Sequence, residues 1–203
     1  MKVSCGDVSY EWLENWAEPP PDAFGGLGWA HHDVVVTADR RVVAFQSGGD
    51  AVAIFDERGR VVDSWPTGLL EGHGMTVTGV GSDGHLWIAD SGTKMVRDEG
   101  GFYQERSPGS HGAVVSFDLT GRRIGALPTP GIDAYGAGRY SPTAIAIDDG
   151  PGGDGSVWVA DGYGQSLVHR FSPEGELLLT LTGEEGAGRF DCPHSLMIDR
   201  RAT

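Results

Sequence analysis

The sequence predicts an all-β fold assembled from repeated four-stranded antiparallel units. Three observations carry that expectation. First, Ser141-Pro142-Thr143-Ala144-Ile145-Ala146-Ile147-Asp148 returns 51 residues later as Cys192-Pro193-His194-Ser195-Leu196-Met197-Ile198-Asp199. Second, Leu86-Trp87-Ile88-Ala89-Asp90 is matched by Val157-Trp158-Val159-Ala160-Asp161. Third, Phe55, Phe117 and Phe171 each stand four residues before a glycine, in F-D-E-R-G, F-D-L-T-G and F-S-P-E-G. A self-similar unit of about 40–50 residues marks a propeller blade or a related array, and four short strands joined by tight turns make one blade. The expected fold is therefore a partial β-propeller, about three blades plus the first strand of a fourth.

Taken in order, residues 1–29 form a non-repeating lead-in. Tyr10, Trp12 and Trp16 lie there in an acidic context, and the prolines at 19–21 impose an extended path. Those aromatics are expected to cover part of the propeller, with a ligand-facing lip as the other reading. Gly25-Gly26-Leu27-Gly28 lacks the strand-before, helix-after setting of a phosphate-binding motif.

The propeller domain is expected over residues 30–203. Its first unit, residues 32–69, reads as strands at 33–37, 41–46, 51–55 and 60–65. The second, residues 70–130, is interrupted at 91–111 by a Gly- and charge-rich insertion without alternation. The third, residues 139–190, continues with strands at 156–160, 167–171 and 177–181, and the fourth, residues 191–203, opens with a strand at 191–199. The turn Ser172-Pro173-Glu174-Gly175 places Pro at the fixed-φ position and Gly where φ > 0 is needed. Three units and one strand do not close a ring, and an open ring leaves an unpaired edge. The sequence is thus expected to be the front part of a longer protein, or to self-associate through that edge.

The 203 residues suffice for one domain with a sizeable core. Gly at 33 of 203 suits a turn-rich β protein better than a helical one. A net charge of −14 argues against a nucleic-acid partner, which demands a basic surface. Cys5 and Cys192 stand too far apart in sequence to suggest a disulfide framework. The N-terminus lacks the apolar core of a signal peptide, and no run of 18 apolar residues exists to span a membrane. The expectation is a soluble cytoplasmic chain with no membrane partner.

First strands open at His32, His73, Thr143 and His194, spaced 41, 70 and 51 residues apart. Innermost strands line a propeller's axis, so residues at their openings meet near it. Neutral imidazole is the commonest metal ligand, and three histidines with an open fourth position make a catalytic zinc arrangement. The alternative is that each histidine hydrogen-bonds backbone at a blade mouth. Asp90 and Asp161, ending the W-I-A-D and W-V-A-D runs, are expected to accept hydrogen bonds from nearby turn N–H groups. His85 and His169 occupy strand or turn positions away from the openings. Glu184 and Glu185 read as solvated surface.

Six segments occur in one order: Glu71-Gly72-His73-Gly74-Met75, Ser141-Pro142-Thr143, Ala160-Asp161-Gly162-Tyr163-Gly164-Gln165-Ser166, Phe171-Ser172-Pro173-Glu174-Gly175, Gly183-Glu184-Glu185 and Pro193-His194-Ser195-Leu196. Together they resemble an NHL-repeat six-bladed propeller, most like peptidyl-α-hydroxyglycine α-amidating lyase. The resemblance runs from about His32 onward and is densest over residues 140–199. It implies cleavage of a carbinolamide C–N bond to a peptide amide and glyoxylate, with zinc on three histidines, a nearby calcium, a tyrosine and an arginine. By the same resemblance His73 and His194 match two zinc histidines, Tyr163 the tyrosine, and Met75 a position whose carbonyl serves calcium. The family's third zinc histidine has no match here; His32 is the substitute at hand. Its arginine follows a first-blade strand, where this chain reads Phe45-Gln46-Ser47-Gly48-Gly49-Asp50, and its cysteine after the tyrosine is replaced by Gly164.

Tyr163 also stands on its own chemistry. A phenol beside a dication loses its proton well below its usual pKa of about 10 and becomes a base; the other reading is a tyrosine hydrogen-bonded at a turn. The expected substrate is a small molecule or a peptide-like one. The alternative function is a non-enzymatic propeller, a recognition platform whose histidines shape the mouth. Calcium-dependent lactonase propellers fit less well, because they call for a carboxylate- and Asn-lined axis.

Overall fold

The computed structural model describes residues 1–18, 32–46, 51–79, 84–105, 110–186 and 188–199. The prolines at 19–21, the glycines at 25–28 and residues 47–50 lie outside them. Three four-stranded antiparallel sheets follow one another along the chain, each with its strands hydrogen-bonded in sequence order. After β1 (Lys2–Cys5) and β2 (Val8–Glu11), the first blade is β3 (Val34–Val36), β4 (Val42–Gln46), β5 (Ala51–Phe55) and β6 (Val61–Pro66). The second is β7 (Gly72–Thr78), β8 (His85–Asp90), β11 (Ala113–Asp118) and β12 (Arg123–Leu127), with β9 (Met95–Arg97) and β10 (Tyr103–Glu105) inserted as a separate hairpin. A single turn of helix, α1 (Ala134–Ala137), leads to the third: β13 (Ala144–Ile147), β14 (Val157–Asp161), β15 (Leu167–Phe171) and β16 (Leu177–Leu181). These are three blades of a β-propeller.

The cores lie between blades, because a strand buried on both faces sends successive side chains to opposite neighbours. In β8, Leu86 and Ile88 pack with Val43, Val52, Ile54 and Trp65 of the first blade. The alternate residues Trp87 and Ala89 pack with Ile145, Val159 and Phe171 of the third. The same alternation splits β11, with Val115 and Phe117 on one side and Val114 on the other.

The F-x-x-x-G segments are the outer hairpins. Each carries a register shift at its phenylalanine and a glycine at φ 74, 88 or 89°, a left-handed turn that favours glycine. One side chain ties each turn: Asp56 Oδ1 accepts from Arg58 and Arg60 N–H, Asp118 Oδ1 from Thr120 and Arg122, and Ser172 Oγ from Glu174 and Glu176. The Arg60 side chain at Asp56 and the Thr120 hydroxyl at Asp118, together with those backbone bonds, hold the two carboxyls below their usual pKa.

Three regions add to the sequence reading. The insertion at 91–111 contains the β9–β10 hairpin, turned by Asp98, whose Oδ1 accepts from Phe102 N–H at 2.8 Å. Strands of three residues are too short for alternation to register. The lead-in is also a hairpin; Trp16 packs against Phe55 with ring centroids 6.3 Å apart and donates to the Glu57 carbonyl, while Tyr10 and Trp12 are exposed. Only one of the three aromatics covers the blade. The strand expected at 191–199 is not formed: among the described residues these positions take no strand hydrogen bonds and pair with no second strand. They still occupy an inner-strand position: Leu196 packs near Ala144, Ala160 and Val168, and residues 196–198 share a cavity wall with β7 and β13. Glu185, read as plain surface, accepts from Thr182 and Gly183 N–H and holds its turn.

The interblade core makes a direct prediction. Ile54 is fully buried, so Ile54→Ala is expected to cost about 3 kcal/mol through lost transfer energy and a residual cavity. Val62, on the outermost strand and half exposed, is expected to change stability by less than about 0.5 kcal/mol on truncation to Ala. Urea unfolding midpoints of the two variants read this difference.

Candidate functional site

The sequence-marked residues fall on one face, where first strands begin and second strands end. His73 is the extra residue of a β-bulge: Gly72 pairs with Asp90 and Gly74 with Ala89, leaving His73 out of the ladder. A bulge of this kind re-aims a side chain. Gly74 then lets β7 close on β13, since a Cβ there would lie 2.4 Å from the Thr143 carbonyl oxygen. Tyr163 sits in the tight turn after β14, two residues beyond Asp161. Gly162 beside it has no room for a Cβ, which would stand 2.3 Å from the Pro193 oxygen.

His73, Tyr163 and His194 come together from three different units. His73 Nε2 is 3.2 Å and His194 Nε2 is 2.9 Å from the Tyr163 hydroxyl. The two imidazole centroids are 5.4 Å apart, and Tyr163 meets each ring edge-on, at 5.0 and 4.8 Å. His73 Nδ1 lies 2.8 Å from the Thr143 carbonyl, and His194 Nδ1 lies 2.7 Å from the Cys192 carbonyl. A carbonyl only accepts, so both Nδ1 atoms carry the proton and both Nε2 atoms of the neutral rings present lone pairs. Two lone pairs thus face a hydroxyl with one proton. That hydroxyl can donate to only one ring at a time.

His32 and Met75 line a cavity of about 210 Å³ that His73, Thr143 and His194 also border. Asp33, next to His32, accepts from the Met75 N–H at 2.8 Å and so joins the first blade to β7. Among the described residues no three His, Cys, Asp or Glu side chains form a metal-holding group. The phenol of Tyr163 is a partner that the two imidazoles share.

Asp161 anchors this face. Its Oδ1 accepts from Ser141 N–H at 2.5 Å, and its Oδ2 from Gln165 N–H at 2.6 Å and the Tyr135 hydroxyl at 2.8 Å. Asp90 does the same one blade earlier, accepting from Leu70, Glu71 and Gly92 N–H. The turn-binding role expected for both aspartates is what the structure shows. Gly164, where the resembling family carries cysteine, is required locally: a Cβ there would lie 2.1 Å from Asp161 Oδ1.

Sequence reasoning passed over Tyr135 and read His169 only as a position away from the openings. Tyr135 donates to Asp161, so it accepts from His169 Nε2–H at 2.7 Å, and His169 Nδ1 accepts from the Thr180 hydroxyl at 3.0 Å. His169 is fully buried, and burial pushes its pKa down to about 4. Burial and the Asp161 charge push the Tyr135 and Tyr140 phenols up. No local pattern marks Tyr135, which comes from the short helix between blades.

Comparison with known proteins finds similarity to an NHL-repeat protein and to an amidating lyase. It is 26% identical over 217 residues to NHL repeat-containing protein 3 of Mus musculus, covering 96% of this chain and 57% of that protein. It is 28% identical over 151 residues to the probable peptidyl-alpha-hydroxyglycine alpha-amidating lyase pgal-1 of Caenorhabditis elegans, covering 72% of this chain and 37% of that protein. The chain thus spans roughly half the length, or less, of these curated relatives. Among solved structures, a streptogramin B lyase aligns with 80% of this chain and 56% of its own, at 13% identity and TM-score 0.40. No protein-family profile matches the chain. No helix among the described residues is long and apolar enough to cross a membrane.

The buried network predicts a pH dependence. His169 is neutral in the fold with its pKa near 4, whereas an unfolded histidine titrates near about 6.5. Its contribution is therefore fully present above pH 6.5 and is lost as pH falls toward 4, by about 3 kcal/mol over that window. Chemical unfolding at stepped pH is expected to show this slope in the wild type, and a flatter one in His169→Gln.

Proposed function

We propose that this chain carries the metal-dependent centre of an amidating-lyase-like NHL-repeat protein, which cleaves a carbinolamide C–N bond in a small or peptide-like substrate. The single observation behind this reading is the convergence of the His73 and His194 Nε2 lone pairs on the Tyr163 hydroxyl. That donor set suits zinc, which binds neutral imidazole nitrogen. Such sites use three or more protein ligands, so two imidazoles alone give weak affinity. In the same reading the Met75 main-chain carbonyl is an oxygen donor for calcium.

When bound, a zinc ion would supply Lewis acidity and lower the pKa of groups beside it. The residues of the chain do the rest. Carbonyl acceptors at Thr143 and Cys192 fix both rings with Nε2 toward the cavity. Tyr163, as phenolate, takes the proton of the substrate hydroxyl. The carbon–oxygen double bond forms as the C–N bond breaks, and the electron pair leaves with nitrogen. The phenol then returns its proton to that nitrogen, giving amide and aldehyde. The Asp161 hydrogen bonds hold the Tyr163 turn in register throughout.

Metal content by mass spectrometry, on protein grown in metal-replete medium and never exposed to chelator, tests the reading. Divalent metal is expected in the wild type at the weak affinity that two imidazoles give, with loss in His73→Ala and in His194→Ala and little change in His32→Ala. Equal loss in all three variants would make His32 a ligand and the lyase-like geometry the wrong template. A metal-free wild type would favour a non-enzymatic recognition platform instead.

A further inference from the structure

Thr143 stands at the same repeat position as His73 and His194, in the blade between them, yet it is only 1% exposed. Its groups reach all three residues of the cluster. The carbonyl accepts from His73 Nδ1–H at 2.8 Å. The hydroxyl donates to the Pro193 carbonyl at 2.6 Å, one residue before His194. That hydroxyl's lone pair accepts from Gly162 N–H at 3.3 Å, one residue before Tyr163. A hydroxyl offers one donor and two acceptor sites, so one side chain can tie two backbone segments at once. The Thr143 N–H, bonded to the Ala160 carbonyl at 2.8 Å, fixes the residue itself to β14.

We infer that Thr143 is the positioning residue of the His73–Tyr163–His194 cluster, its buried hydroxyl setting where Tyr163 and His194 stand relative to His73. This rests on the cluster's proposed role as a metal centre; the geometric tie itself does not. The chain separations explain the need. His73 and His194 lie 121 residues apart on units that are not neighbours, and no backbone ladder joins them. The intervening opening hydrogen-bonds both His73 and the segment that carries His194. Glycines at 74 and 162 make the approach close enough, since a Cβ on either would strike Thr143 itself.

The hydroxyl is separable from the rest of the residue. Thr143→Val keeps shape and main-chain carbonyl, and leaves the Pro193 carbonyl and Gly162 N–H without their partner; Thr143→Ser keeps the hydroxyl. Two readouts on the full chain decide the matter. In the metal-free protein, NMR contacts between the Tyr163 ring and both imidazoles are expected in the wild type and Thr143→Ser. They are expected to weaken or vanish for His194 in Thr143→Val. With cobalt(II) as probe, Thr143→Val is expected to lose about 10–100-fold in affinity, the range seen when a group that orients a ligand is removed. Thr143→Ser is expected to restore it. Where Thr143→Val does not fold, Thr143→Cys, whose thiol is a weak donor, takes its place. A variant that melts earlier but keeps both ring contacts and cobalt affinity would overturn the inference, reducing Thr143 to a packing residue. A wild type that binds no cobalt would sink the metal reading alone, and the ring contacts would then decide the role of Thr143.

Discussion

A buried carboxylate at the end of a blade's second strand is the interaction on which this face of the molecule depends. Asp90 and Asp161 are 5% and 0% exposed, and burying an ionised group is costly unless it is fully hydrogen-bonded. Each spends its lone pairs on the segment arriving at the first strand and on the loop leaving the second. Charge-assisted bonds of this kind are about twice as strong as neutral ones. The spacing that results is the same in both blades. The tied amides belong to Glu71 and Ser141, and the opening residues, His73 and Thr143, follow two positions later. A conserved offset in space therefore comes from one side chain repeated, not from the strands alone.

Much of the fold was legible in the sequence because its determinants are local. The period-two strands, the F-x-x-x-G hairpins and the terminal aspartates each write their structure within five or six residues. Tyr163, His73 and His194 were legible through repeat position, which propeller geometry converts into a shared place near the axis. What escaped was short or non-local. The β9–β10 and β1–β2 hairpins have strands of three and four residues, the latter exposed on every side chain, so burial leaves no alternation in them. The Tyr135–Asp161–His169 network joins a helix, a strand end and a strand interior, none of which signals the others. The two ties of Thr143 run to partners 50 and 70 residues away, distances at which no spacing rule applies.

Repetition supplies equivalent positions; function arises where the repeat is broken. At successive openings the chain presents His73, Thr143 and His194, and the middle position is filled by a compact side chain that can both donate and accept. An imidazole there could not occupy the same space, because Thr143 is packed between the Gly162 turn and the Pro193 backbone. The two outer histidines gain room to meet over it. Their rings come within 5.4 Å without belonging to neighbouring blades, and a phenol from the intervening blade stands between them. The two outer units thus contribute imidazole nitrogens, and the blade between them contributes both brace and hydroxyl.

The charge of the whole chain bears on what this cluster can hold. With 29 acidic and 15 basic side chains, the net charge of −14 makes the surrounding potential negative, which raises the local concentration of cations. At the cluster itself the Tyr163 hydroxyl stands within hydrogen-bond distance of both imidazole Nε2 atoms. The buried Asp161 takes no part in those contacts, because its oxygens are already committed to Ser141, Gln165 and Tyr135. The anion that builds the site is in this way kept apart from the rings it positions.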